Sequence, residues 1–319
     1  MPSEKNSQKT NKTHFLNPSR IDKPAYMMNV PFSLNADTAN NLWMKDLKEE
    51  ERQIDINKAL DQFLQVYHFI SSSALVYLLP TPQTGDLQDL VYAANMGVTL
   101  DHMDDKNTIV LSNFSTQVRE PETRIGKAFF ELMDYDVVIP PYHFEGDAEM
   151  KHLHDNVYIG GYGIRSDKKS YEWMMDNFDI KIIPVEETDP YLYHLDCTIF
   201  PLTREQTLVC TELFTAEEIK KIESETNIID VSIDDCYSGI CNSLRVGNSL
   251  LNASNIYDMK TSDQYYKEEK HKNRTLEDIA AEHAFELNFF NLSEYLKSGA
   301  LLSCMVMHLN RRSYDIALL

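Results

Sequence analysis

The sequence predicts an α/β fold of five repeated units set around an axis, each unit mixing a helix with short strands. Three observations predict it. Helical segments at about 121–134 (PETRIGKAFFELMD), 169–178 (KSYEWMMDNF) and 215–226 (TAEEIKKIESET) each run into a short β-branched strand. Those strands centre on Val137-Val138-Ile139, Ile182-Ile183-Pro184 and Ile228-Ile229-Asp230, and their starts lie 45 and 46 residues apart. After each strand a loop carries a polar residue into a second strand: Glu145, His194 and Cys241-Asn242 in turn. A WD-type propeller or a helical solenoid has a similar period, but neither mixes a helix with strands in each unit. Five such units around an axis would point the loop after each inner strand into a central channel.

In order along the chain, residues 1–24 are polar and rich in Lys, Asn and Ser, and are expected to form a disordered tail. Residues 25–319 are expected to form a single domain. Tyr26–Phe32 begins ordered chain, and Asn40-Asn41-Leu42-Trp43-Met44 reads as an irregular packed segment. Between about 48 and 71, Ile54, Ile56, Leu60, Phe63, Leu64, Tyr67 and Ile70 recur at helical spacing. Ser73–Leu79 reads as a strand, Pro80–Asp86 as a turn, and Leu90–Asn95 as a strand with Asn95 at its end. A further unit starts at Phe285–Phe290 and ends at Cys304, displaced by a polar insertion at about 253–275. The unit ending at Asn95 makes five.

Composition narrows the function classes. The 319 residues are 43% hydrophobic and 25% charged, as in a chain that buries a sizeable core. No apolar run approaches the roughly 18 residues of a membrane span, and the polar start has no signal core, which points to the cytoplasm. The net charge of −20 argues against nucleic acid or an anionic membrane as partner. Five cysteines without CxxC spacing argue against a disulfide framework and a zinc ribbon. His152 and His154 (KHLHD) read as surface residues without a companion ligand set, so no metal or other cofactor is expected.

Near the C-terminus, Lys297–Leu309 (KSGALLSCMVMHL) delivers one cysteine, Cys304, from a small-residue turn onto an apolar run. Upstream, Tyr193-His194-Leu195-Asp196 spaces an imidazole and a carboxylate at i, i+2, one face if the segment is a strand. Taken singly, Cys304 suits a core thiol, His194 a structural histidine, Phe144-Glu145-Gly146-Asp147 an acidic turn, and Asn95 a turn residue. The order Asn…Glu-Gly…His-x-Asp…Cys carries more information. With Asn41-Leu42-Trp43-Met44, Asp89–Asn95, Pro121-Glu122-Thr123-Arg124 and Gly161–Ser166, it makes the chain resemble the pentein, or guanidine-modifying, enzymes from about Met27 to Leu309. These include arginine deiminases, dimethylarginine dimethylaminohydrolases, agmatine deiminases and amidinotransferases. The bacterial arginine dihydrolase branch is the most similar.

The resemblance implies a five-bladed α/β propeller of ββαβ units around an active-site channel. It implies Cys304 as nucleophile, His194 as general acid and base, and Glu145 as the group orienting His194. Asp196 and Asn95 would bind guanidinium nitrogens, and Arg124 and Arg165 the substrate α-carboxylate, for which a planar fork is suited. Asn95 stands where deiminases carry Asp, and Gly299-Ala300 where the family usually has Gly-Gly; an alanine needing positive φ at 300 would cost about 1 kcal/mol. The expected reaction is hydrolysis of L-arginine to ornithine, CO2 and two ammonia through a thiouronium on Cys304. Alternatives are an arginine deiminase or dimethylarginine dimethylaminohydrolase giving citrulline, an amidinotransferase, and an inactive arginine-binding propeller. A homo-oligomer is compatible with any of them.

Overall fold

A computed structural model describes residues 17–83 and 87–316. The fifteen strands are β1 (Ala25–Asn29), β2 (Leu75–Leu79), β3 (Gly97–Thr99), β4 (Thr108–Leu111), β5 (Asp136–Val138), β6 (Met150–His154), β7 (Val157–Tyr162), β8 (Lys181–Glu186), β9 (Ile199–Pro201), β10 (Gln206–Val209), β11 (Asn227–Asp230), β12 (Leu244–Val246), β13 (Ser249–Ala253), β14 (Glu286–Phe290) and β15 (Met307–His308). They form five three-stranded sheets, ordered β15-β1-β2, β3-β4-β5, β6-β7-β8, β9-β10-β11 and β12-β13-β14. In each, the first pair is antiparallel and the second parallel. A helix makes each parallel crossover: Ile56–Ser71, Glu120–Leu132, Lys168–Asn177, Ala216–Glu223 or Gln264–Glu282. The result is a five-bladed α/β propeller, as the repeat predicts.

Burial follows position in the blade. The first strands β3, β9 and β12 are wholly buried, whereas the third strands β5 and β11 are exposed or half-buried along their length. First strands of different blades meet, β6 against β9 and β15 against β3. Each helix packs its buried face against its blade. In Ile56–Ser71 this is Ala59, Phe63, Val66 and Ile70, at helical spacing, and burying each large side chain contributes roughly 1.5–3 kcal/mol. The first blade is closed by both ends of the chain, with Tyr26 opposite His308 and Met27 opposite Met307.

Several sequence expectations are corrected. The channel-facing loops follow the outer strand of each blade and lead into the first strand of the next; they do not follow an inner strand. Asn95 lies on a 3-10 turn (Ala93–Met96), not at a strand end, and residues 42–46 form a short helix capped by the Asn41 side chain. The helix expected from 48 begins at Ile56, where Asp55 caps it. Residues 1–16 of the expected tail, and 84–86 of the expected turn, lie outside the described residues. Residues 17–24 are not a free tail: Asn17, Pro18 and Ser19 are buried. Ser19 Oγ donates to the Leu309 carbonyl at 2.7 Å, and Asn310 Nδ2 donates to the carbonyls of Pro18 and Lys23. Polar composition misleads here because those groups are satisfied inside the protein. The polar stretch at 253–275 is largely the loop and first turns of the fifth blade's own helix, whose buried Lys272 donates to the Ala253 carbonyl and pairs with Glu269.

Candidate active site

The five loops entering β3, β6, β9, β12 and β15 carry Asn95, Glu145, His194, Asn242 and Cys304, one per blade. Four of them are 3-10 turns or flank one, and the turns of Asn95, Glu145 and Cys304 pack together. Gly146 makes this approach feasible. Its φ is +68°, and a Cβ there would come within 2.6 Å of the Ala94 carbonyl oxygen and 2.7 Å of the Gly97 nitrogen.

All five side chains are buried. Glu145 Oε2 lies 2.8 Å from His194 Nε2, and its Oε1 accepts from the Ser115 amide at 3.1 Å and hydroxyl at 2.8 Å. Arg165 Nη1 stands 3.8 Å from the same Oε1. Burial alone would raise the Glu145 pKa, but the hydrogen bond from His194 and the charge of Arg165 hold it well below the usual carboxylate range. Burial lowers the His194 pKa despite that partner, so the resting imidazole is neutral. Asn95 Nδ2 lies 3.4 Å from His194 Nε2. With Nε2 engaged, Nδ1 is the nitrogen left for proton transfer.

Cys304 Sγ donates to Asp196 Oδ2 at 3.4 Å and accepts from Asn242 Nδ2 at 3.4 Å. Ser303 donates its hydroxyl to Asp196 Oδ2 at 2.6 Å and its amide to Asn242 Oδ1 at 2.9 Å. Burial first, and the Asp196 charge second, push the Cys304 thiol up to about 12. The resting pair is therefore a thiol and a neutral imidazole. Cys304, His194 and Tyr193 line two cavities. One is polar, with Asn41, Asp89, Asn95, Arg119 and Arg165; the other is more apolar, with Trp43, Tyr191, Tyr237, Leu301 and Asp196.

Of the two arginines expected at a carboxylate, only Arg165 lies in the polar cavity, its Nη2 donating to the Asn40 carbonyl and its guanidinium 5.0 Å from the Tyr193 ring centroid. Arg124 does not: it is exposed on the helix Glu120–Leu132, whose buried face is Glu122, Gly126 and Phe130. Arg119 lines the cavity instead. Its Nε and Nη2 grip Glu122, and Nη2 also donates to the Asp89 and Tyr92 carbonyls. The i, i+3 pairing of Arg119 with a Glu on the buried face is the signal that could have found it. Asn242, which the sequence places on the third loop without a role, contacts the sulfur directly. Positive φ falls on Gly299 (+78°) and not on Ala300, so the cost weighed for alanine at 300 does not arise. His152 is buried, not a surface residue; Arg204 Nη1 lies 3.0 Å from its Nδ1 and Asp155 O 2.8 Å from its Nε2. Among the described residues no group of three or more His, Cys, Asp or Glu side chains converges as a metal site.

The family described as N,N dimethylarginine dimethylhydrolase, eukaryotic, matches residues 29–311. The chain belongs to this family. Within the family's guanidine-modifying superfamily, the chain is 26% identical over 284 residues to the bifunctional arginine dihydrolase/ornithine cyclodeaminase ArgZ of Synechocystis sp., and spans 88% of itself but 37% of that relative. An uncharacterized Caenorhabditis elegans protein is 22% identical, with 89% of this chain and 92% of the relative aligned. The N-terminal domain of ArgZ, a cyanobacterial arginine dihydrolase solved with bound product, superposes with a TM-score of 0.77 at 24% identity, covering 91% of this chain and 98% of that domain. A variant of the same domain has been solved covalently bound to a reaction intermediate.

Proposed function

We propose that the protein hydrolyses the guanidinium group of L-arginine through a covalent intermediate on Cys304, giving ornithine, CO2 and two ammonia, and that it works in the cytoplasm, where its free thiols stay reduced. The observation that carries this reading is the meeting of a thiol, a carboxylate and a Glu-oriented imidazole beside a cleft holding two buried arginines.

A guanidinium carbon is a poor electrophile, so it needs a soft nucleophile held close. The raised thiol pKa means that Cys304 is not a standing thiolate. Entry of a cation beside Asp196 favours the thiolate by the charge–charge attraction that burial strengthens. The thiol proton then passes to neutral His194 as sulfur bonds to the guanidinium carbon. The carbon–nitrogen bond breaks, His194 returns that proton to the departing ammonia, and a thiouronium remains. His194 next takes a proton from water, whose oxygen attacks the same carbon; the carbon–sulfur bond breaks and the ureido product leaves. In a second round the sulfur attacks the ureido carbon and the terminal carbon–nitrogen bond breaks with loss of ammonia, leaving a thiocarbamate; water cleaves its carbon–sulfur bond, and the carbamate formed loses CO2 to give ornithine. A neutral ureido group needs less anionic clamping, which suits Asn95 in place of a carboxylate. Arg119 and Arg165, which line the polar cavity, would pair with the substrate α-carboxylate.

The family match favours a second reading, hydrolysis of a methylated arginine to citrulline; the apolar cavity beside Cys304 offers space for N-methyl groups. Incubation with each substrate, followed by mass spectrometry and ammonia assay, separates the readings. Arginine dihydrolysis gives ornithine and two ammonia, deimination citrulline and one, and amidino transfer a new amidino compound. Cys304→Ser is expected to abolish turnover while still binding arginine. Turnover by that variant would sink the covalent mechanism.

A further inference from the structure

Behind the proposed catalytic pair lies a second pair of buried carboxyl groups, Glu149 and Glu187, to which the reaction above assigns no role. Glu149 ties two blades together: its Oε2 accepts from the amide of Leu195, the residue after His194, and its Oε1 from the hydroxyl of Ser166, both at 3.2 Å. Ser166 Oγ in turn accepts from the Glu145 amide at 3.2 Å. One carboxyl group thus fixes the backbone of both Glu145 and His194.

Glu187 closes onto Glu149 over Gly161. A Cβ at Gly161 would stand 2.8 Å from Glu187 Cδ, 2.9 Å from Glu149 Oε2 and 3.0 Å from Glu187 Oε1. The two carboxyl groups thus face each other across one glycine, and neither Glu187 oxygen, though buried, has a donor among the described residues. A buried carboxylate without a donor is costly unless it takes up a proton, and two such groups side by side cannot both ionise at modest cost. We propose that Glu149 and Glu187 form a proton-holding carboxyl pair that positions the Glu145–His194 couple, and that release of its proton to solvent ends activity on the alkaline side.

The surroundings set the sign. Among the described residues, the charged and titratable groups facing the pair include the carboxylates Glu145 and Asp196, the guanidinium of Arg165, the neutral His194 beside Leu195, Tyr171 and Cys197. The two carboxylates repel a further negative charge and Arg165 opposes them. Burial, with these neighbours, raises Glu187 to about 8 and Glu149 well above its ordinary value, a titration that belongs to the pair. Above that pH the ionised pair would part and release the Leu195 and Ser166 contacts, misplacing His194. This role rests on the guanidine-hydrolase reading; the pair's proton does not.

Glu187→Gln imitates the protonated pair, since it puts an amide donor against the Glu149 carboxylate; Glu149→Gln instead costs a contact to Leu195 or Ser166, because both Glu149 oxygens already accept there. Full-length wild type and variants are compared by the pH profile of kcat/KM and by infrared absorption of the carboxylic-acid carbonyl. Wild type should lose kcat/KM as pH rises through about 8, with the carbonyl band fading over the same range. Glu187→Gln, when it folds, should retain turnover at pH 7, move the alkaline limb upwards and lack that band in the difference spectrum, whereas Glu149→Gln should lose turnover at every pH. A limb that stays in place, or no titrating band between wild type and variant, overturns the proposal. If wild type turns over no guanidine while the band titrates, the proton-holding pair stands and the hydrolase reading fails.

Discussion

Arg119 and Arg124 stand little more than one helical turn apart and meet different surroundings. Arg119, just before the helix starts, is clamped by Glu122 and reaches the cleft; Arg124 points to solvent. Arg119→Lys keeps a cation beside Glu122 but loses the planar fork. Losing one charged hydrogen bond costs about 1.5–3 kcal/mol, so KM for arginine is expected to rise roughly 10- to 100-fold with kcat little changed. Arg124→Met should leave both within about twofold, as for an ordinary surface site. Steady-state kinetics check this, and the reverse pattern would return the role to Arg124. The pair also shows what was legible. Cys304, His194, Glu145, Asp196 and Asn95 could be read because their types and order are distinctive. Arg124 was chosen because a sequence motif names a residue without its helical face. The periodicity of Glu122, Gly126 and Phe130 held the missing information, since position 124 lies on the opposite side.

At the scale of elements, Cys304 follows a turn that depends on one backbone angle. Gly299 has φ +78°, and a Cβ there would sit 3.1 Å from both Asn41 Nδ2 and Oδ1. Asn41 Nδ2 donates to the Ser298 carbonyl at 2.9 Å, while its Oδ1 caps the helix Leu42–Asp46. The Gly299→Ala variant therefore strains the turn and pushes the capping residue away. A loss of about 1 kcal/mol from the angle alone is expected, with a further 0.5–2 kcal/mol if the cap is lost. Chemical denaturation measures the sum, and Ala300→Gly, at a position without positive φ, should bring no comparable gain. Element positions were legible where a helix precedes a β-branched run. Short strands such as β3 and the 3-10 turns were not, because three buried residues carry no periodicity.

For the whole molecule, buried charge makes stability depend on pH from both sides. Glu145 and Asp147 are held well below their ordinary range; for Asp147, Arg311 and His308 outweigh the cost of burial. Their contribution is present above the unfolded carboxylate values of 4.5 and 3.8 and lost as pH falls below them. Glu187 has the opposite sign: its contribution is present below 4.5 and lost as pH rises through about 8. Urea midpoints should therefore decline at both extremes. Asp147→Asn should flatten the acid side and Glu187→Gln the alkaline side, and a midpoint unchanged between pH 5 and 3 would contradict the acid half. The five-unit plan was legible from the 45-residue spacing, while the closing contact was not, because Met307 and Tyr26 share no local pattern.

The seam of the first blade bears on when the ring closes during synthesis. The Cys304 sulfur precedes by only three positions the strand that zips onto residues 26 and 27. On a growing polypeptide Asn95, Glu145, Arg165 and His194 therefore all emerge before Cys304, and the first blade waits with an unpaired strand edge until residues 307 and 308 arrive.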